Sequence, residues 1–348
     1  MIMGAWNRIS ENRHFRETSL YRSFRETPLH FIDVGAAGGI HDLVQGAASI
    51  IDCVCFEPEK EAARALRLQY AAESPFASMT ILETALSGCA GQRTLHITKS
   101  AVNTSLLAPE EELTKRYRLA GFQVEKTATI ATESLDGLRL REGGGGRFGE
   151  FIKLDCQGAE YEILRGAEKI LQENCIAIMC EVEFFPLYKN QQCFSELDLF
   201  LRANNFQLYG LYPHYISARS LNRRDGETEE RLLWADALYF KDPLHNRGAG
   251  VNLDQRGVNA LLVVALLTRY YDLALELSRA FFREEDIAHL ELLIQELSGA
   301  DKREMERDVS GFIADCQRNP DLLYLLAKKF IDGHRSNSNI DFIEVKKV

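Results

Sequence analysis

Residues 31–39 read Phe-Ile-Asp-Val-Gly-Ala-Ala-Gly-Gly, and this stretch decides how the rest of the chain is interpreted. Phe31, Ile32 and Val34 surround Asp33 and lead into a turn of glycine and alanine, the pattern of a buried strand emptying into a tight loop. Gly35 and Gly39 permit backbone angles closed to other residues and let a ligand lie against the main chain. Above the first strand of a parallel sheet, a nucleotide-shaped ligand is the expected occupant.

Working outward, the same alternation recurs. Strands are expected over residues 29–34, 52–56, 79–83, 94–98, 123–132, 151–154, 176–182, 206–211 and 235–240, and the last two are expected to form an antiparallel hairpin. Helical stretches are expected over 41–48, 59–72, 109–119, 157–173 and 195–204, with a polar loop over 212–231. Repeated strand–loop–helix units predict an α/β fold of the Rossmann-like class, a mostly parallel doubly wound sheet. Residues 1–28 read as an N-terminal helical arm, with Phe-Arg-Glu-Thr at 15–18 echoed at 24–27; two copies of four residues do not make a repeat architecture. Residues 29–242 form the expected sheet domain. After Lys241-Asp242-Pro243 the composition turns almost wholly helix-forming, and 253–333 is expected to be a helical C-terminal domain behind a linker near 243–252. The four glycines at 143–146 read as a surface loop, because no strand closely precedes them and no Lys-Ser/Thr pair closes them.

Composition sets limits. The chain has 348 residues, 46% hydrophobic and 26% charged, with a formal net charge of -10. Such a balance argues against general binding to a nucleic-acid backbone. The longest apolar run, 260–267, is too short to span a bilayer, and the N-terminus lacks the apolar core of a secretory signal. The eight cysteines contain no C-x-x-C pair; Cys53 and Cys55 read as buried small hydrophobes on one side of a strand, not as metal ligands. A reducing, cytoplasmic location follows as the expectation.

Ligands of open α/β sheets bind beyond the carboxyl ends of the strands, so the residues just past each strand matter most. Asp33 stands beside the glycine turn. Glu57 ends the second strand, where its two oxygens can accept both hydroxyls of a ribose. Ala85 is small enough for an adenine to lie against, and Asp155 falls where the reactive end of the ligand would lie. An acid two residues before the first glycine suits a cationic ligand better than a diphosphate. This favours S-adenosyl-L-methionine over a nicotinamide dinucleotide, whose fingerprint spacing is also missing.

The blocks DVGAAGG, CFEPEKEAARAL, TALSGCAGQRTL, NTSLL, FIKLDCQGAEYEIL and WADALYF together resemble the FkbM-type methyltransferases, over roughly residues 28–241. The resemblance implies an S-adenosylmethionine-dependent enzyme acting on hydroxyl groups of sugars and natural products. It implies that Asp33, Gly35, Ala36 and Gly39 form the methionine-side loop, that Glu57 holds the ribose, that Thr84 and Ala85 flank the adenine, and that Asp155 and Glu160 face the transfer site. Two departures stand out: Ala37 replaces an asparagine usual in the loop, and Gln157 replaces a usual glutamate. Asp155 is the first candidate for general base. His214 is the second, because histidine titrates near neutral pH, and Glu160 is a helper or else a packing partner of Lys153. A divalent metal held by Asp155, Glu160 and Glu181 is weighed against a metal-free site, and the latter is expected. The expected partner is a small-molecule or glycan hydroxyl acceptor. Residues 258–282 carry an apolar stripe expected to pack within the chain or in a homodimer through the C-terminal helices. The competing reading is a non-catalytic binding or assembly protein on a methyltransferase scaffold, with the helical C-terminus as its docking surface.

Overall fold

The structure is a computed structural model, and it describes residues 9–36, 38–71, 74–141, 148–218, 220, 229–244 and 251–334. The glycine run 143–146, Ala37, most of 219–228 and the linker residues 245–250 lie outside the described residues.

Among the described residues there are ten strands: β1 Leu29–Val34, β2 Ile51–Phe56, β3 Ser78–Leu82, β4 Ala85–Leu86, β5 Gly91–Thr98, β6 Val124–Glu133, β7 Phe151–Leu154, β8 Ala177–Glu183, β9 Gln207–Ile216 and β10 Arg231–Phe240. Seven form one sheet in the order β3-β2-β1-β7-β8-β10-β9. The first five run parallel, and β10 pairs antiparallel to both β8 and β9. The near-continuous apolar runs of β1, β2, β7 and β8 follow from burial on both faces. A second sheet, β4-β6-β5, stands beside the upper end of the first.

Alternate residues of each strand feed two cores. Ile32, Val54, Ile152, Leu154, Ile178 and Cys180 face the helices Glu160–Arg165, Glu168–Glu173 and Phe194–Ala203. The expected single helix over 157–173 is interrupted at Gly166, where a Cβ would stand 2.8 Å from the Ser87 carbonyl oxygen. Phe31, Cys53, Phe151, Met179 and Phe240 face the other way, toward the N-terminal helices Arg13–Glu17 and Ser19–Glu26 and the helix Gln255–Leu267. The echoed Phe-Arg-Glu-Thr segments put Phe15 and Phe24 into that core. Cys53 and Cys55 are fully buried free thiols with Sγ atoms 3.6 Å apart.

Every residue from 257 to 267 is buried. A helix apolar all round must lie inside a protein, not on it, and this one covers the sheet face. Its seven Val and Leu side chains represent roughly 10–20 kcal/mol of gross burial, an upper estimate that already equals the net stability of a whole domain. Arg256 fixes the helix in place: Nε and Nη2 bond Glu150 at 2.7 Å each, and Nη1 and Nη2 reach the carbonyls of Thr27 and Pro28. Further on, Ser19 donates through N and Oγ to Asp286 at 2.7 and 2.6 Å, tying the long helix Glu284–Arg318 to the N-terminal arm. Among the described residues no helix is long and apolar enough to cross a membrane.

A second expectation about local structure also fails. Residues 212–216, expected in a polar loop, continue β9, because Tyr212 and His214 find backbone partners at Asp236 and Trp234 of β10.

Candidate active site

At the exit of β1 the chain bends at Gly35, whose φ is +83°. A Cβ there would lie 2.0 Å from the Asp155 carbonyl oxygen, so no side chain can be accommodated. Gly35 N–H donates to Phe56 O at 3.1 Å, and Asp155 N–H donates to Val34 O at 3.1 Å, which locks the exits of β2, β1 and β7 together. Gly39, φ +112°, closes the loop with a 2.9 Å bond from its N–H to Ala36 O.

This loop roofs a buried ion pair. Asp33 is fully buried; Oδ2 accepts from His41 N–H at 2.8 Å and Oδ1 lies 3.2 Å from Lys153 Nζ. The pairing follows from register, since Asp33 of β1 sits directly opposite Lys153 of β7. Lys153 also reaches Gly35 O at 3.4 Å and Asp155 Oδ2 at 3.9 Å. Burial opposes its charge, but Asp33 and Asp155 outweigh it and raise its pKa above the ordinary lysine value.

Beyond the strand ends lies a cavity of about 680 Å³, within the size range of small-molecule sites. Gly35, Gly39, Glu57, Thr84, Ala85 and Asp155 are in its wall. Leu95, Ile97 and the loop around Ser105, from the second sheet and its connection, close it from above. Glu57 is 4% exposed, with Oε1 accepting from Glu59 N–H at 2.8 Å; among the described residues its other oxygen has no hydrogen-bond partner. Burial raises its pKa.

The far side of the cavity is acidic. Asp155 follows the last residue of β7 as Glu181 follows its partner Cys180 on β8, and Asp236 of β10 is opposite Glu181 in the ladder, so the three side chains leave the same face of the sheet. Gln157, held at φ +57°, spans two of them: Nε2 donates to Asp155 Oδ1 at 2.8 Å and to Glu181 Oε1 at 3.2 Å. A glutamate there would need a proton to do the same, so the amide joins the two carboxylates without adding charge. Tyr188 Oη donates to Gln157 Oε1 at 2.8 Å and lies 3.1 Å from Asn103 O, while Ser105 Oγ donates to Gln157 O at 2.7 Å. These contacts anchor the roof loop on the acidic floor. Burial, then the Asp155 charge, pushes the Glu181 pKa well up.

Not every expected site residue reaches the cavity. Asp33 and Ala36 are buried beneath the loop. Glu160 is buried as well; Oε1 accepts from Cys156 N–H at 2.6 Å, stabilising the turn that carries Asp155 and Gln157, and burial lifts its pKa to about 7. Lys153, offered as its packing partner, pairs with Asp33 instead. His214 stands behind the wall, its ring stacked on Trp234 at 5.2 Å and Nε2 3.6 Å from Asp236 Oδ2. Asp236 itself is in the wall, as are Lys153 and His41, and the sequence reading gave none of these three a site role. Burial, then Lys153, lowers the His41 pKa. Among the described residues no group of three or more His, Cys, Asp or Glu is placed to hold a metal ion.

Comparison with solved structures finds a Methyltransferase FkbM from Methylobacillus flagellatus KT, 14% identical, covering 61% of this chain and 43% of that one, TM-score 0.37. The chain therefore spans less than half the length of that protein. A precorrin-6y C5,15-methyltransferase from Geobacter metallireducens GS-15 is 9% identical over 65% of this chain and 90% of that one, TM-score 0.30. No curated protein matches the chain. The decisive match is to a domain family: the sequence profile of the Methyltransferase FkbM domain spans residues 33–208, from the acid before the glycine turn into β9. That interval is just over half of the chain and carries the glycine turn, Glu57, Lys153 and the Gln157 bridge, so the chain belongs to the FkbM methyltransferase domain family.

Proposed function

We propose that the chain transfers a methyl group from S-adenosyl-L-methionine to a hydroxyl of a sugar, glycan or related natural-product acceptor. The observation that carries this reading is Glu57: a carboxylate buried at a strand end, facing the cavity, with one oxygen unpartnered among the described residues. That oxygen is open to the cavity, where a ribose diol can donate to it. Bound at this site, the cofactor supplies an electrophilic methyl group on a sulfonium.

The chain's own residues then divide the work. Glu57 grips the ribose, Thr84 and Ala85 flank the base, and Gly35 and Gly39 leave the main chain bare toward the amino-acid end. Asp33 and Ala36 hold that loop from beneath. Asp155 faces the transfer site and takes the acceptor hydroxyl and its proton. Glu160 holds the turn that aims Asp155, and His214 acts through Asp236 on the far wall. An ionised carboxylate only accepts hydrogen bonds, so Asp155 and Asp236 in the wall suit an acceptor presenting hydroxyls.

Calorimetry of the full chain with S-adenosylmethionine and S-adenosylhomocysteine tests the cofactor half, and binding of both is expected. Tritium transfer from methyl-labelled cofactor into a panel of sugars and glycosides tests the acceptor half. A folded sample that takes up neither nucleoside would instead favour a binding or assembly role.

A further inference from the structure

His41 follows the glycine turn and stands in the cavity wall, yet no step of the proposed reaction uses it. Its backbone N–H is spent on Asp33 Oδ2 at 2.8 Å. Its ring does something separate. Leu43 N–H donates to Nδ1 at 3.2 Å, capping the helix Asp42–Ile50. An imidazole nitrogen that accepts a hydrogen bond carries no proton, so in the neutral ring the proton is on Nε2. Burial and the Lys153 charge keep the ring neutral at pH 7. The chain thus sets an N–H donor at Nε2, and among the described residues nothing accepts from it.

The charges that act on this ring are Lys153, Asp33, Asp236 and Asp42. They belong to β7, β1, β10 and the segment after the glycine turn, whereas Glu57 closes β2. A nucleoside gripped at Glu57 therefore sends its 5′ substituent across the glycine turn toward His41. In S-adenosylmethionine that substituent ends in an ammonium and a carboxylate. Asp236 and Asp42, both in the wall, can accept from the ammonium. The carboxylate needs donors. Lys153 is engaged by Asp33 at 3.2 Å and by Gly35 O at 3.4 Å, and Gln157 Nε2 by Asp155 and Glu181. The Nε2–H of His41 is a side-chain donor left free at this end among the described residues.

We propose that His41 Nε2–H donates to the α-carboxylate of S-adenosylmethionine and makes the site prefer the intact cofactor over its nucleoside part. The assignment rests on the methyl-transfer reading, because it takes that cofactor as the ligand. An uncharged donor suits the place: a second cation beside Lys153 would be repelled, while an N–H bonded to a carboxylate is worth more than one bonded to a neutral group. His41 binds and moves no proton, since with Nε2 protonated and Nδ1 engaged the ring has no free lone pair to act as a base.

Calorimetry of the full chain compares S-adenosylhomocysteine with 5′-methylthioadenosine, which keeps the nucleoside and the sulfur but has no amino-acid end. Wild type is expected to bind the first at least about 10-fold more tightly. His41→Ser and His41→Asp both keep an oxygen to cap Leu43 N–H. His41→Ser should raise the Kd for S-adenosylhomocysteine about 10–100-fold, and His41→Asp should raise it further by like-charge repulsion. The Kd for 5′-methylthioadenosine should stay within about threefold in both. Equal loss for the two ligands overturns the proposal, as does no loss for either. Ring 15N NMR of the unliganded wild type should report the Nε2–H tautomer at position 41, and an Nδ1–H tautomer overturns the proposal whatever the variants do. A wild type that binds neither compound sinks the cofactor reading itself. Binding of both, with unchanged affinities in His41→Ser, sinks the His41 assignment alone.

Discussion

Asp33 and Glu57 end neighbouring strands, both nearly excluded from solvent, yet they are in opposite states. Asp33 is held by the chain itself: Oδ2 accepts from the His41 amide, and Oδ1, without a hydrogen bond among the described residues, lies 3.2 Å from the Lys153 ammonium. Glu57 has a single backbone donor on one oxygen and the cavity before the other. The difference separates two uses of a buried carboxylate. One whose charge is balanced within the fold holds the fold; one with an oxygen open to a cavity can take a ligand there.

The largest expected effect removes the ground on which both acids stand. Gly35→Ala drives a Cβ into the Asp155 carbonyl and strains a positive φ, so a loss of at least about 3 kcal/mol of stability, or no soluble protein, is expected in urea denaturation. Next comes the Asp33 side. Lys153→Met leaves a buried carboxylate without its counter-charge and should cost about 3–5 kcal/mol. Asp33→Asn combined with Lys153→Met should recover part of that loss, and simple additivity in the double-mutant cycle would mean that the pair is not coupled. The Glu57 side should behave in the reverse way. Glu57→Gln is expected to weaken S-adenosylhomocysteine binding about 10–100-fold in calorimetry with Tm unchanged or raised. A lower Tm with intact affinity would make Glu57 another Asp33 and erase the contrast.

The smallest effect concerns Glu160. Its folded pKa is pushed up to about 7, above its unfolded value, so the folded state binds the extra proton and stability falls as pH rises between the two values. Wild-type Tm should therefore increase on acidification from pH 8 toward pH 5 more than that of Glu160→Gln. Equal slopes would place the titration elsewhere.

Much of this was legible in the chain because it is local. The strand–turn pattern at 31–39, the acid closing β2 and the apolar runs of β7 and β8 each announce themselves within a few residues. What stayed hidden depends on pairing between distant segments. Lys153 reads as one polar residue in Phe-Ile-Lys-Leu; that it meets Asp33 requires knowing that β1 lies beside β7. A lysine in a strand buried on both faces is itself a signal, because it demands a partner. Asp236 in Trp-Ala-Asp-Ala-Leu carries the same signal, and its neighbours on β8 and β9 supply the rest. The fate of residues 253–333 was hidden for another reason: helical periodicity tells which stripe is apolar but not what covers it. The same segment therefore contains a helix buried along nearly its whole length and a helical stretch, 298–333, with no buried side chain among the described residues.

The contact between Gly35 and the Asp155 carbonyl has a mechanical consequence. It welds the Glu57 half of the cavity to the acidic half along a seam of backbone, with no compressible side chain between them. The floor cannot part to admit a guest. Widening has to come from the lid side, where Ser105 and Asn103 are tied down by two side-chain hydroxyls, bonds that water can replace.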